Sequence, residues 1–313
     1  MSQIVTLTMN PAIDRGLSVD HVTPNQKLRC EATGRDPGGG GVNVSRAIHE
    51  LGGDTLAIYT CGEGTGRIYC DLLARDDIPG RDVQVQEATR EHIIVRETAT
   101  GSMYRFGEEG PGITEDEAEA CIEAVHSVDP APDYLVLSGS LPPGAGDDFY
   151  ARAIRAAEPR TRVVVDTTAK ALRPALAEGV YLIKPNAREL AELAERSLEG
   201  EVEIVEAARE LIDDGGVEVV VVSLGAGGSV LVTGDKEARV PSPAVKVESK
   251  VGAGDSMVGG MVLALDRGQS LLDAVRFGTA AGAAAVTTPM TGLGSRDDAE
   301  RLYERMLEAL GQE

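Results

Sequence analysis

The sequence predicts an α/β fold: a central, mainly parallel sheet packed by helices, with a small β layer standing off it. Short β-branched runs alternate with helix-period segments along most of the 313 residues, the signature of successive βαβ units. Two stretches, about 16–34 and about 83–106, interrupt that alternation with strand-like pieces joined by turn residues. The length suits one α/β domain carrying a small insertion.

In order, Ile4 to Met9 shows strand-like alternation, and the glycine run after Pro37 opens a helix whose period is clear from Val44 to Leu51. In the second interrupted stretch, His92 to Thr98 and Ser102 to Phe106 flank the turn signal Thr100-Gly101. This appendage reads as a substrate lid, a dimer contact or both. Helix-period segments follow at Glu115 to Val128, Asp147 to Ala157, Ala187 to Leu193 and Ile204 to Asp213. Between them lie the apolar runs Tyr134 to Leu137, Val163 to Val165, Val180 to Ile183 and Val219 to Leu224. Asp255 to Leu265, an Ala-rich stretch from Leu271 to Val286, and a segment from Asp297 supply the last helices.

Composition narrows the function. The net charge of −21 argues against nonspecific nucleic-acid binding, because a duplex backbone is repelled without a strongly basic patch, and none is visible. No apolar stretch approaches a bilayer span, and the first residues lack a signal core, so a cytoplasmic protein is expected. Cys30, Cys61, Cys70 and Cys121 show no metal-ligand spacing and read as reduced structural thiols. Only six of the 30 basic residues are lysines, and such an acidic, Lys-poor surface is expected of a protein working in concentrated salt.

Four segments carry chemistry. In Ser249-Lys250-Val251-Gly252-Ala253-Gly254-Asp255-Ser256, small residues let backbone N–H groups at a helix start converge on an anion, and Asp255 either caps the helix or accepts a proton from an attacking hydroxyl. In Pro37-Gly38-Gly39-Gly40-Gly41-Val42-Asn43, glycines permit close approach to a ligand and Asn43 suits sugar hydroxyls; the run fails the G-x-G-x-x-G dinucleotide pattern. Lys184-Pro185-Asn186-Ala187-Arg188-Glu189 puts Asn186 and Glu189 on one helix side, either as a capping box or as groups orienting a magnesium-bound water. Ser223 to Gly228 is a glycine-rich turn that either lies against a nucleotide or is a simple β-turn.

These segments, with Ser138-Gly139-Ser140-Leu141-Pro142-Pro143-Gly144, occur in the order found in the PfkB group of sugar kinases, and the resemblance spans essentially the whole chain. Within that group it most resembles the PfkB-type 6-phosphofructokinases, whose K-L-R-C, P-G-G-G-G-x-N and Y-R-F segments stand here at Lys27, Pro37 and Tyr104, and the 1-phosphofructokinases and tagatose-6-phosphate kinases resemble it nearly as well. The resemblance implies a three-layer ribokinase-like fold, a single kinase domain over 1–313 with a lid from about 16–34 and 83–106, and a homodimer through the β layers to which Ile93, Ile94 and Val95 contribute. It implies transfer from MgATP to fructose 6-phosphate, with fructose 1-phosphate or tagatose 6-phosphate as alternative acceptors and a non-catalytic nucleotide-binding module as the rival of a different class.

By the same resemblance Asp255 is the base and the amides of Gly252, Ala253 and Gly254 the anion hole. Asp14, Gly39, Gly40, Asn43 and Ser138 hold the sugar, and Lys27, Arg90 and Arg105 its phosphate. Lys184, Asn186, Ser223, Gly225 and Gly228 line the ATP cleft, with Glu189 acting on Mg2+ through water. Potassium is implied beside Ser249, Val251 and the 285–288 turn; Lys250 departs from the family's small hydroxyl residue. Against these stand plain alternatives: Asp14 as a turn acid, Arg90 and Arg105 as scaffold. His21, His49, His92 and His126 are isolated and read as structural or surface residues.

Overall fold

The structure is a computed structural model and describes residues 4–310. Thirteen strands run in chain order as β1 (Ile4–Thr8), β2 (Ala12–Val19), β3 (Glu31–Gly38), β4 (Leu56–Gly62), β5 (Gly80–Val85), β6 (Arg90–Glu97), β7 (Met103–Phe106), β8 (Tyr134–Ser138), β9 (Arg162–Asp166), β10 (Val180–Ile183), β11 (Val217–Ser223), β12 (Ser229–Thr233) and β13 (Glu237–Val240) among the described residues. The helices are α1 (Gly40–Glu50), α2 (Thr65–Arg75), α3 (Glu115–His126), α4 (Phe149–Ala156), α5 (Ala169–Leu176), α6 (Ala187–Ala194), α7 (Glu201–Asp213), α8 (Ala253–Asp266), α9 (Leu271–Ala285) and α10 (Arg296–Leu310). No described helix is long and apolar enough to cross a membrane.

Nine strands form the main sheet in the order β13-β12-β11-β10-β9-β8-β1-β4-β5. The pairs from β11 across to β5 are parallel, and only β12 and β13 run antiparallel. The Val-rich runs are continuous because both faces are covered. Side-chain alternation divides them: Val5, Leu7, Leu135 and Leu137 face a core with α3 to α7, while Ile4, Tyr134 and Val136 face one with α1, α8, α9 and α10. This is a three-layer α/β fold. Helices α8 and α9 pack closely because small residues meet: a Cβ on Gly260 would lie 2.8 Å from that of Ala281 and 3.0 Å from Gly278 Cα.

A second sheet, β3-β2-β6-β7, stands apart. It begins at Ala12 and extends to Gly38, beyond the expected 16–34, and its other half starts at Arg90. Val83 to Val85 belongs instead to β5, which pairs with β4 at the edge of the main sheet. The sequence reading passed over β4, α2 and α5; Pro174 sits inside α5, in its last turn. Strand order reverses around β1, whose neighbours are β4 and β8, and in open α/β sheets ligands bind beyond the carboxyl ends of strands at such a point.

Candidate active site

Helix α1 starts at that reversal, and the glycine run explains how. A Cβ on Gly40 would come within 2.6 Å of Gly139 N, and one on Gly41 within 2.5 Å of Leu7 O, so only glycine lets the helix start press onto the ends of β1 and β8. Thr8 Oγ1 accepts the Val42 N–H at 2.7 Å and completes the junction. Ser138 is buried against Gly40.

The close seating of α1 brings Asn43 to the start of α8, where its Nδ2 donates to Asp255 Oδ2 at 2.9 Å. Gly252 takes the left-handed conformation (φ 74°) and acts as N-cap, so the first-turn amides after it have no partner within the helix and are open to an anion. Asp255 is half-buried in that first turn. Burial and the nearby Asp166 push its carboxyl up to about 6, against the opposing pull of Asn43, Lys184 and Arg105.

Lys184, just past the end of β10, is 5% exposed, and its Nζ lies 3.4 Å from Asp166 Oδ1 at the end of β9. Burial works against its charge, but Asp166, Glu189 and Asp255 outweigh that and hold it above the ordinary lysine range. A Cβ on Gly254 would sit 3.5 Å from Nζ, so the lysine reaches directly beneath the anion-accepting turn. Asp166 escaped the sequence reading; its signal was a carboxylate closing a buried parallel strand.

Asn186 caps α6 by accepting from the N–H groups of Arg188 (2.9 Å) and Glu189 (3.0 Å), and Glu189 Oε2 accepts from Asn186 N–H at 2.9 Å. The capping box is therefore formed, and it leaves Glu189 Oε1 outside it. Ser223 N–H donates to Pro185 O at 2.9 Å, which lays the 223–228 turn beside the Lys184 segment; Gly225 opens its 3-10 turn and Gly228 follows. On the far side of Asp255, Ser249 Oγ donates to Met290 O (2.6 Å) and the Glu248 and Ser249 N–H groups to Val286 O (2.7 and 3.3 Å). Val251 N–H closes this loop on Ser249 Oγ at 3.2 Å, while Lys250 points to solvent.

The second sheet supplies the remaining candidates. Asp14 is 5% exposed and bonds to His92. Arg105, exposed on β7, acts on Asp255 through its charge, and its side chain forms no hydrogen bond or ion pair among the described residues. Arg90 differs: its guanidinium donates to Glu108 O (2.7 Å), Glu109 O (3.3 Å) and Asn10 O (2.8 Å), so it ties the end of β1 to the segment after β7. Burial holds Arg90 below the ordinary guanidinium range. Asn10, another residue the sequence reading missed, is buried and donates to Glu109 O at 3.0 Å. Lys27 stands exposed on the β2–β3 loop, and its side chain forms no hydrogen bond or ion pair among the described residues.

A helix start open to an anion, beside a carboxylate raised to about 6, suits the transfer of a phosphoryl group to a hydroxyl, and the chain is an enzyme of that class. It matches the pfkB family carbohydrate kinase profile over residues 5–298 and belongs to that family. It is 41% identical over 305 residues to the ATP-dependent 6-phosphofructokinase isozyme 2 of Escherichia coli (strain K12), covering 97% of this chain and 98% of that protein. The isozyme 2 of Mycobacterium tuberculosis (strain ATCC 25618 / H37Rv) is 43% identical over 303 residues, covering 96% of this chain and 89% of that one. The crystal structure of phosphofructokinase-2 from Escherichia coli in complex with potassium superposes with a TM-score of 0.94 at 41% identity, covering 98% of this chain and 100% of the other.

Proposed function

We propose that the chain is an ATP-dependent 6-phosphofructokinase that converts fructose 6-phosphate and MgATP to fructose 1,6-bisphosphate and ADP. The observation that carries the reading is Asp255: a half-buried carboxylate held by Asn43, with a proton affinity near neutrality, in the open first turn of α8. The names of the 41–43% identical relatives support the same activity.

In this reading the sugar's free primary hydroxyl lies beside Asp255, with Asp14, Asn43, Ser138 and the Gly39–Gly40 turn around its other hydroxyls and Arg105 on its phosphate. Asp255 takes the hydroxyl proton as the new O–P bond forms and the bond to the ADP oxygen breaks. The Gly252, Ala253 and Gly254 amides and Lys184 meet the charge on the transferring group. The nucleotide lies along Lys184, Asn186 and the 223–228 turn.

No group of three His, Cys, Asp or Glu side chains suited to a metal occurs among the described residues, a donor set that fits magnesium held chiefly by nucleotide phosphates and water, with Glu189 reaching it through water. Magnesium neutralises charge on the β- and γ-phosphates. Potassium, present in the Escherichia coli complex, would in this reading lie beside backbone oxygens of Ser249, Val251 and the 285–288 turn. Ile93, Tyr104 and Phe106 are exposed apolar residues on the second sheet and support a homodimer formed through it, whereas Ile94, expected at that contact, is fully buried within the subunit. We place the reaction in the cytoplasm, where ATP and phosphosugars are available.

ADP release with fructose 6-phosphate and fructose 1-phosphate at matched concentrations tests the proposal. A higher kcat/KM for the 6-phosphate is expected; preference for the 1-phosphate would make the chain a 1-phosphofructokinase, and activity with neither would overturn the assignment.

A further inference from the structure

The second sheet pairs Asp14 with His92, a side chain to which the proposed reaction gives no role. Asp14 on β2 and His92 on β6 are register partners in a parallel pair, so their side chains leave the same face of the sheet. That face looks toward the body of the protein, since Ile94, two residues on, is fully buried while Ile93 is exposed. Arg90 shares the face by the same alternation, and Arg105 shares it as the partner of Ile94.

His92 Nδ1 lies 3.2 Å from Asp14 Oδ1. An ionised carboxylate offers only acceptors, so Nδ1 carries the proton and the imidazole tautomer is set by this contact. Asp14 Oδ2 is hemmed in by backbone, because a Cβ on Gly38 would come within 2.5 Å of it. The His92 ring is confined from its other side, where a Cβ on Gly107 would sit 3.4 Å from Nε2. A buried carboxylate oxygen needs a hydrogen-bond donor, and His92 supplies one to Asp14.

We propose that His92 is a positioning residue for the sugar: through Nδ1–H it locks the Asp14 carboxylate in the orientation that meets the sugar hydroxyls. This rests on the assignment of Asp14 to the sugar under the proposed function. The role acts on acceptor binding and leaves the nucleotide side alone.

The test uses the conservative geometry of amides. Asparagine places an N–H near the Nδ1 position and glutamine places one near Nε2, so the two separate the ring's nitrogens. His92→Ala is expected to raise KM for fructose 6-phosphate about tenfold, as loss of a hydrogen bond to a charged group does, with KM for MgATP unchanged. His92→Asn should restore KM to within about threefold of the parent and His92→Gln should resemble the alanine variant. Rescue by glutamine and not asparagine would overturn the role of Nδ1. Asp14→Ala, measured alongside, separates the levels: if it raises the sugar KM while His92→Ala does not, the positioning role fails alone, and if neither moves it, the sugar assignment of Asp14 fails.

Discussion

Replacing Asp255 with asparagine removes the charge and keeps the shape, and its effects on activity and stability should run in opposite directions. Loss of the base is expected to lower kcat by roughly 10²–10⁴-fold with little change in KM for ATP. The stability effect follows from burial and Asp166, which raise the carboxyl from 3.8 to about 6. A raised carboxyl binds its proton more tightly in the folded protein, so ionisation penalises the fold. The penalty is absent below about pH 4, where both states are protonated, develops between about pH 4 and 6, and is complete above that. About two pH units at about 1.4 kcal/mol each set an upper figure of about 3 kcal/mol, and partial exposure of the side chain reduces the expectation to about 1–3 kcal/mol. The asparagine side chain retains an acceptor for the Asn43 amide, so that hydrogen bond survives. Urea denaturation at pH 8 should therefore show the inactive variant to be the more stable protein, with the gain shrinking toward pH 5. In the parent, kcat/KM should fall about tenfold for each pH unit below about 6. A variant of undiminished kcat, or one less stable than the parent at pH 8, would refute the reasoning.

Lys184→Met should lift the Asp255 carboxyl further, because a cation that pulls it down is gone; the acid limb of the pH–rate profile is expected to move up by about 0.5–1 pH unit. The same variant leaves Asp166 without its partner and should lose about 2–4 kcal/mol of stability in urea. Arg90→Ala and Arg105→Ala should part company. The first, stripped of three carbonyl contacts, loses about 2–3 kcal/mol as well as sugar affinity, whereas the second raises the sugar KM about tenfold or more with stability within about 0.5 kcal/mol of the parent. Equal thermal and kinetic effects in both would contradict the division.

How much of this was legible in the chain depended on whether the cause was local. β10 appears with its bounds and β8 and β9 nearly so, because strands buried on both faces are written as unbroken apolar runs. β5 sets exposed residues between half-buried or buried ones and carries Arg81, Asp82 and Gln84, so its apolar signal is diluted and its second half reads as part of the lid. The Gly252 to Asp255 turn was readable as anion hole or cap since both rest on a few consecutive residues. Asp166 was not, because nothing near it in sequence tells that the strand ends beside Lys184. Arg90 was visible as a cation, but its engagement with Asn10, Glu108 and Glu109 joins segments about 80 and 18 residues away, which no local pattern encodes. His92 reads in sequence as a structural or surface residue, since its hydrogen-bond partner Asp14 lies on another strand.

The charge layout shows why a chain of net charge −21 can bind two anionic substrates. Of its six lysines, Lys184 alone is buried, and it sits under the anion-accepting turn. Long-range repulsion from the surface is screened beyond about 8–10 Å at ordinary ionic strength, but a buried cation in the cleft is screened far less, so the local field is the one the substrate meets. That same lysine limits the base. Burial and Asp166 push the Asp255 carboxyl up, while Asn43, Lys184 and Arg105, from three separate elements, pull it back. A general base works best when its proton affinity matches the working pH: lower, and it accepts weakly; higher, and it arrives already protonated. In the proposed reaction the residue that would draw in the phosphate and the residue that would keep the base free are one side chain, so its loss should appear in the pH profile as well as in the rate.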